Sequence, residues 1–213
     1  PCRGRHGEAP RPEGAQGLLG SSHLGNLTVR DLGGNEIGDD GAKAVAAGQL
    51  ERLSTLNLSG NGIGAAGTAA LAKSRGYPNL GSLDLSMNPI GAGGVKSLSA
   101  GSLGKLTALF LLGSEIGPDG ARALAKTNLK LKVLALSGNS LGDEGAKTLA
   151  ASAKLSSLST LDLSANGIGD AGAKALAASP HLKGLSKLEM FANELSAAGK
   201  SALSKRFGDA VKL

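Results

Sequence analysis

One residue column constrains this chain more than any other feature. Asn35, Asn61, Asn88, Ser114, Asn139, Asn166 and Asn193 follow one another at intervals of 26, 27, 26, 25, 27 and 27 residues. Around each, the chain reads L-x-x-L-x-L-x-x-N-x-I-G-x-x-G-x-x-x-L. Counting from the first Leu, position six is Leu32, Leu58, Leu85, Leu111, Leu136, Leu163 and Met190. Position fifteen is always glycine, from Gly41 through Gly67, Gly94, Gly120, Gly145 and Gly172 to Gly199. A fixed period in this range is the signature of a solenoid, in which each unit buries its apolar face only against its neighbours.

The stretch LSTLNLSGNGIGAAGTAALA, residues 53–72, shows what one unit does. Leu56 and Leu58 alternate with Thr55, Asn57 and Ser59, the period-two pattern of a short strand with one buried face. Asn61 follows at the turn, where a buried amide can bond backbone groups that a curved turn leaves unpaired. Gly62 and Gly64 are expected to take conformations closed to other residues. A helix rich in small residues closes the unit. Acidic residues gather at this helix start in other units (Asp39, Asp40, Asp119, Asp143, Glu144, Asp170) and suit the positive end of the helix dipole. The expected class is α/β: a parallel β-sheet on the concave face and α-helices on the convex face of a horseshoe.

These repeats resemble the leucine-rich repeat family, and within it the ribonuclease-inhibitor-like subclass and its short bacterial-type repeats. The resemblance spans residues 24–206, and LSTLDLSANGIGDAGAKALA, residues 158–177, is the cleanest copy. It implies a curved solenoid whose concave sheet commonly binds other proteins; it does not imply a catalytic site.

Three departures carry expectations. Arg30 stands where a buried Leu belongs, which predicts a frayed or shifted first strand. Ser114 replaces the column Asn and predicts one weakened rung. Ser196 replaces the position-twelve Gly in the last unit. Residues 1–11 read as an extended or disordered segment, 12–26 as a degenerate half-repeat, 27–206 as seven repeats, and 207–213 as a C-terminal cap. The half-repeat at 12–26 suggests a cut through a longer solenoid.

Composition narrows the function classes. No run of about 18 apolar residues suggests a membrane span. The first residues lack the apolar core of a signal peptide. One cysteine, Cys2, excludes an internal disulfide framework and fits a reducing, cytoplasmic setting, with secretion after processing as the alternative. His6, His23 and His181 have no ligand spacing with Cys2, so no metal site is expected. No cofactor is expected either: the glycine strings lack the lysine of a phosphate loop and are accounted for by the repeat. The formal charge is +6. Its helix-borne part, Lys43, Lys96, Arg122, Lys147 and Lys174, forms a position-seventeen row on the convex side. No aromatic stacking platform accompanies it, so a solvated helix face is preferred over a nucleic-acid stripe.

Positions three, five and seven face the concave side. There the candidate partner-binding residues are Asp84, Phe110, Leu112, Asp162, Glu189 and Phe191, with Met87 at the edge. Aromatics make up 2% of the chain, yet two of its three Phe lie on this face. Aromatics dominate binding hot spots. Asp162 and Glu189 fall on adjacent strands about 5 Å apart, a spacing like that of retaining glycosidases. An open sheet gives neither the desolvation nor the pocket such chemistry needs. The expectation is a non-enzymatic module that binds a protein with a basic surface. The alternatives are a scaffold or sensor arm of a larger, receptor-like protein, or a GTPase-activating protein of the leucine-rich repeat type. The last rests on resemblance alone, with no specific match to that group's functional residues.

Overall fold

Short strands and helices alternate along the whole of residues 27–213, which the computed structural model describes. The expectations for residues 1–11 and 12–26 lie outside them. The strands are β1 (Val29–Asp31), β2 (Thr55–Asn57), β3 (Ser82–Asp84), β4 (Ala108–Phe110), β5 (Val133–Ala135), β6 (Thr160–Asp162), β7 (Lys187–Glu189) and β8 (Val211–Lys212). The helices between them are α1 (Gly38–Ala47), α2 (Ala65–Lys73), α3 (Gly91–Ala100), α4 (Gly117–Leu124), α5 (Gly142–Ala150), α6 (Asp170–Ala178) and α7 (Ala197–Phe207). The strands form one parallel sheet in chain order. Helices line the other face, which gives the horseshoe layering expected of such repeats.

The leucine columns lie between the two layers. Leu56, Leu83, Leu109, Leu134, Leu161 and Leu188 stack in register at position four, and none exceeds 1% exposure. Burying each contributes roughly 2 kcal/mol. Position fifteen is glycine for steric reasons. A Cβ on Gly94 would lie 2.3 Å from Ile90 Cγ2, and one on Gly172 would lie 2.7 Å from Ile168 Cγ2.

The asparagine column is a ladder. The Asn88 side-chain oxygen accepts N–H groups of Asn61 and Ile63, both at 2.9 Å. Its amide nitrogen donates to the carbonyls of Leu58, Leu85 and Ser86. Asn61, Asn139, Asn166 and Asn193 repeat the arrangement. At Ser114 the rung is weakened, as the sequence predicts: the hydroxyl still donates to the Leu85 and Leu112 carbonyls at 3.3 Å, but the acceptor half is lost. The short hydroxyl presents no acceptor to the Asn88 and Ile90 N–H groups, and Ile90 N–H turns to the Asn88 carbonyl instead.

Arg30 corrects an expectation. Strand β1 is neither frayed nor shifted: Arg30 pairs in register with Leu56 and is buried. Its backbone takes the strand bonds whatever its side chain is, and register follows from those bonds. The Gly62–Gly64 expectation holds by half. Gly62 is left-handed at φ +67°, while Gly64 is extended at φ −93°.

The reason for Gly64 lies in the preceding repeat. Asp39 Oδ1 accepts the N–H groups of Gly64 and Gly67. Asp143 does the same for Gly169 and Gly172, and Asp170 for Ser196. Where position thirteen is Ala65, Ala92 or Pro118, the next repeat's Gly91, Gly117 or Gly142 has φ of +57° to +59°. Its N–H then bonds forward to the carbonyl of Ser114, Asn139 or Asn166. The position-thirteen acids Asp39, Asp143 and Asp170 therefore cap the following helix as well as favouring their own, while Asp40, Asp119 and Glu144 pair within their own helices. This also explains Ser196: its extended backbone suits a side chain, and its hydroxyl caps α7 through Ala198 N–H.

A third inter-repeat device closes the helical side. The hydroxyls of Ser74, Ser152 and Ser179 donate to the carbonyls of Ala46, Ala125 and Ala150 in the preceding repeat. At the end of the chain, β8 pairs with β7, and Val211 is buried against Leu188.

Candidate functional site

The concave wall is built from alternate strand residues, so its chemistry reads off positions three, five and seven. Nine of the 21 are Ser, Thr or Ala. Against them, Phe110 on β4 and Leu112 just beyond it form an apolar centre, with Met87 at the neighbouring turn. Met87 is 61% exposed and Leu112 40%. Together with Asp84, Ser86, Ala135, Asp162 and Glu189 they line one groove of about 530 Å³. The structure thus brings six sequence-predicted residues together: Asp84, Met87, Phe110, Leu112, Asp162 and Glu189. Phe191, exposed on the next rim, does not line this groove.

Met87 is held in an unusual backbone. Position eight is left-handed in every repeat described: it is glycine at Gly34, Gly60, Gly113 and Gly138, and alanine at Ala165 and Ala192. Met87 occupies it at φ +56°. A non-glycine residue there costs about 1 kcal/mol. Its sulfur lies over Gly113, so close that a Cβ on that glycine would come within 2.8 Å. Gly113 therefore gives the Met87 side chain its seat beside Leu112.

The carboxylates have a local duty that the sequence did not disclose. Asp84 Oδ1 accepts Ser86 N–H at 2.8 Å, and Asp162 Oδ1 accepts Ser164 N–H at 2.9 Å. Asn57 serves Ser59 in the same way. Position five thus favours Asp or Asn because a short side-chain oxygen ends the strand as an Asx turn. The single bond described uses one oxygen of Asp84 or Asp162. Glu189 differs: Lys187 Nζ sits 3.0 Å from its Oε1, and Lys212 lies beside it in register. The acidic strip is compensated at that end, leaving Asp84 and Asp162 as the groove's acids. They stand three strands apart, about 14 Å, with Phe110 and Ala135 between them. Lys187 escaped the sequence reading, which weighed positions five and seven and passed over position three.

On the convex side the basic row is broken. Lys43 pairs with Asp40, Arg122 with Asp119 and Lys147 with Glu144, each three residues apart on an exposed helix face. The Lys43 ammonium is raised above its ordinary pKa and the Asp40 carboxyl lowered, first by their mutual hydrogen bond and then by charge. Such pairs contribute little stability, but they cancel the field that would track a phosphate backbone. Among the described residues no group of three or more His, Cys, Asp or Glu could hold a metal ion. No helix among them is long and apolar enough to cross a membrane.

The groove and the layering can be set beside known proteins. A solved internalin from Listeria monocytogenes is similar at 21% identity and a TM-score of 0.48, over 80% of this chain and 50% of that one. The chain thus spans about half the length of that protein. No curated protein sequence matches. A family profile described as leucine-rich repeat matches residues 25–46, 52–72, 78–99, 127–150 and 154–177, more than half of the sequence. With the asparagine ladder, the leucine columns and the parallel sheet in place, this chain belongs to the leucine-rich repeat family.

Proposed function

We propose that this chain is a non-catalytic binding module that holds a protein partner in the concave groove. Met87, Phe110 and Leu112 make the apolar contact, and Asp84 and Asp162 receive basic groups of the partner. The observation that carries this is the apolar cluster of Phe110, Leu112 and Met87 at the centre of the groove, with Met87 and Leu112 exposed and Asp84 and Asp162 on either side. Aromatic and apolar anchors framed by charges of one sign give affinity at the centre and orientation at the rim. Helices of eight to eleven residues on the convex side support placement in the ribonuclease-inhibitor-like subclass. We read residues 27–206 as the binding unit and 207–213 as its cap, supported by the pairing of β8 on β7.

The test is capture from lysate of the source organism by the parent chain, a Phe110→Ala/Asp162→Asn variant and a convex-face Lys174→Glu control. Asn keeps the Asx acceptor for Ser164 and removes only the charge. A protein retained by the parent and the control but lost from the groove variant supports the reading. Equal retention by all three would move the interface off this face.

A further inference from the structure

The geometry points to a second site, on the convex side between α3 and α4, that takes a phosphate monoester. A pocket of about 360 Å³ opens there, ringed by Lys96, Arg122 and Lys126. Its one acid, Asp119, is engaged by Arg122. Three cations against one carboxylate leave a net positive pocket.

The second observation is Ser99, which lines the same pocket at 7% exposure. Its hydroxyl is buried and has no hydrogen-bond partner. A buried hydroxyl left unpaired is costly, and native structures rarely keep one without a reason. Elsewhere on the helical side, buried Ser74, Ser152 and Ser179 each donate to a backbone carbonyl. Ser99 sits two positions earlier in its repeat and has no such acceptor. Ser99 lines the pocket beside Lys96, Arg122 and Lys126, and a rotamer change would bring its hydroxyl, closed to solvent in this structure, to a phosphate oxygen held there.

Ala100 and Ala123 supply an apolar part of the lining. The fitting ligand is therefore a phosphate on a small apolar body, as distinct from a polyanion. The pairing of Lys43 and Lys147 with their own acids leaves no extended track along the helices for one. This site does not depend on the concave groove.

Amide NMR titration of the intact chain with phenyl phosphate tests the site, against inorganic phosphate and against sodium chloride at equal ionic strength. Saturable shifts confined to residues around Ser99, Ala123 and Lys126 are expected, at least fivefold tighter for phenyl phosphate than for inorganic phosphate. Lys96→Ala and Lys126→Ala should each weaken phenyl phosphate binding about tenfold. Ser99→Ala should weaken it several-fold while leaving the melting temperature unchanged or higher. A parallel arm with vesicles containing 30% phosphatidic acid separates the sources. Lysine-dependent sedimentation assigns a lipid headgroup, and its absence together with saturable phenyl phosphate binding assigns a soluble ligand. Non-saturating, chloride-like shifts without lysine-dependent sedimentation would overturn the site. So would unchanged binding in both lysine variants.

Discussion

Asp39 Oδ1 accepts the backbone N–H groups of both Gly64 and Gly67, each at 2.8 Å, one full repeat downstream. Removing that oxygen orphans two donors at the start of α2. Asp39→Ala should cost about 2 kcal/mol, in keeping with hydrogen bonds to a charged acceptor. Asp39→Asn, which retains the acceptor, should lose less. Urea unfolding of the two variants beside the parent checks both. The same contrast is expected at Asp143, which serves Gly169 and Gly172.

The turn that Asp39 selects makes two glycines of one column respond in opposite ways. Gly64 is extended, and a Cβ there would meet nothing nearer than 3.5 Å. Gly91 sits at φ +59°. Gly64→Ala should be neutral or slightly stabilising, because it restricts the unfolded chain. Gly91→Ala should destabilise by about 1 kcal/mol. Similar losses at both positions would refute the two-state turn.

Ser114→Asn should rebuild the missing rung. The new oxygen would accept Asn88 and Ile90 N–H, as Asn88 now serves Asn61 and Ile63. A gain of about 1 kcal/mol is expected, raising the melting temperature by roughly 2–4 °C. Calorimetry decides it. A lower melting temperature would mean that the site has closed around serine.

Met87→Gly separates folding from binding. Relief of the left-handed backbone offsets lost packing, so stability should hold or rise by up to about 1 kcal/mol. Partner affinity should fall about tenfold, as for a truncated hot-spot anchor. Titration calorimetry with the captured partner measures it. Unchanged affinity would remove Met87 from the interface.

Tyr77 predicts an alkaline limb. Its hydroxyl donates to the Val45 carbonyl, and burial pushes the phenol up from 10.0 to about 12, with Arg30 pulling weakly the other way. A raised phenol favours the neutral form in the fold. Relative to neutral pH, the fold loses about 2–3 kcal/mol for a shift of this size; the loss begins above pH 10 and completes as pH rises through 12. Tyr77→Phe should cost about 1 kcal/mol at neutral pH and flatten stability between pH 10 and 12. A parent and variant that fall in parallel there would show that Tyr77 does not govern the limb.

What the sequence disclosed and what it hid follow one rule. Periodic residues that act within a column, such as the leucines and the position-fifteen glycines, declare themselves by recurrence. So did the concave placement of Phe110 and Leu112, which needs only strand alternation. Bonds between unlike columns stayed hidden. The reach of Asp39 to Gly64 and of Ser152 to Ala125 links different positions of neighbouring repeats and leaves no period of its own. The Asx duty of Asp84 and Asp162 was masked by their charge, which drew attention to partners instead of to Ser86 and Ser164. Lys187 beside Glu189 was missed because a pair two residues apart meets only once the strand places both on one face.

The Ser114 gap has a mechanical meaning. Neighbouring repeats elsewhere are riveted by up to three fasteners: the asparagine oxygen, the aspartate cap and the serine hydroxyl. The joint between the third and fourth repeats lacks all three and keeps longer side-chain bonds instead, from the Ser114 hydroxyl to the Leu85 carbonyl at 3.3 Å and from Leu112 N–H to the Ser86 hydroxyl at 3.2 Å. Asn88 finds no side-chain oxygen on Ser114, Ala92 stands where the cap would be, and Ser99 has no hydroxyl donor at its carbonyl, only Asn128 N–H. In a spring loaded along its length, bending concentrates at the softest coil. Here that coil lies between the concave anchors Met87 and Phe110 and backs onto the basic pocket, so a change in the curvature of the arc would be taken up on both faces at once.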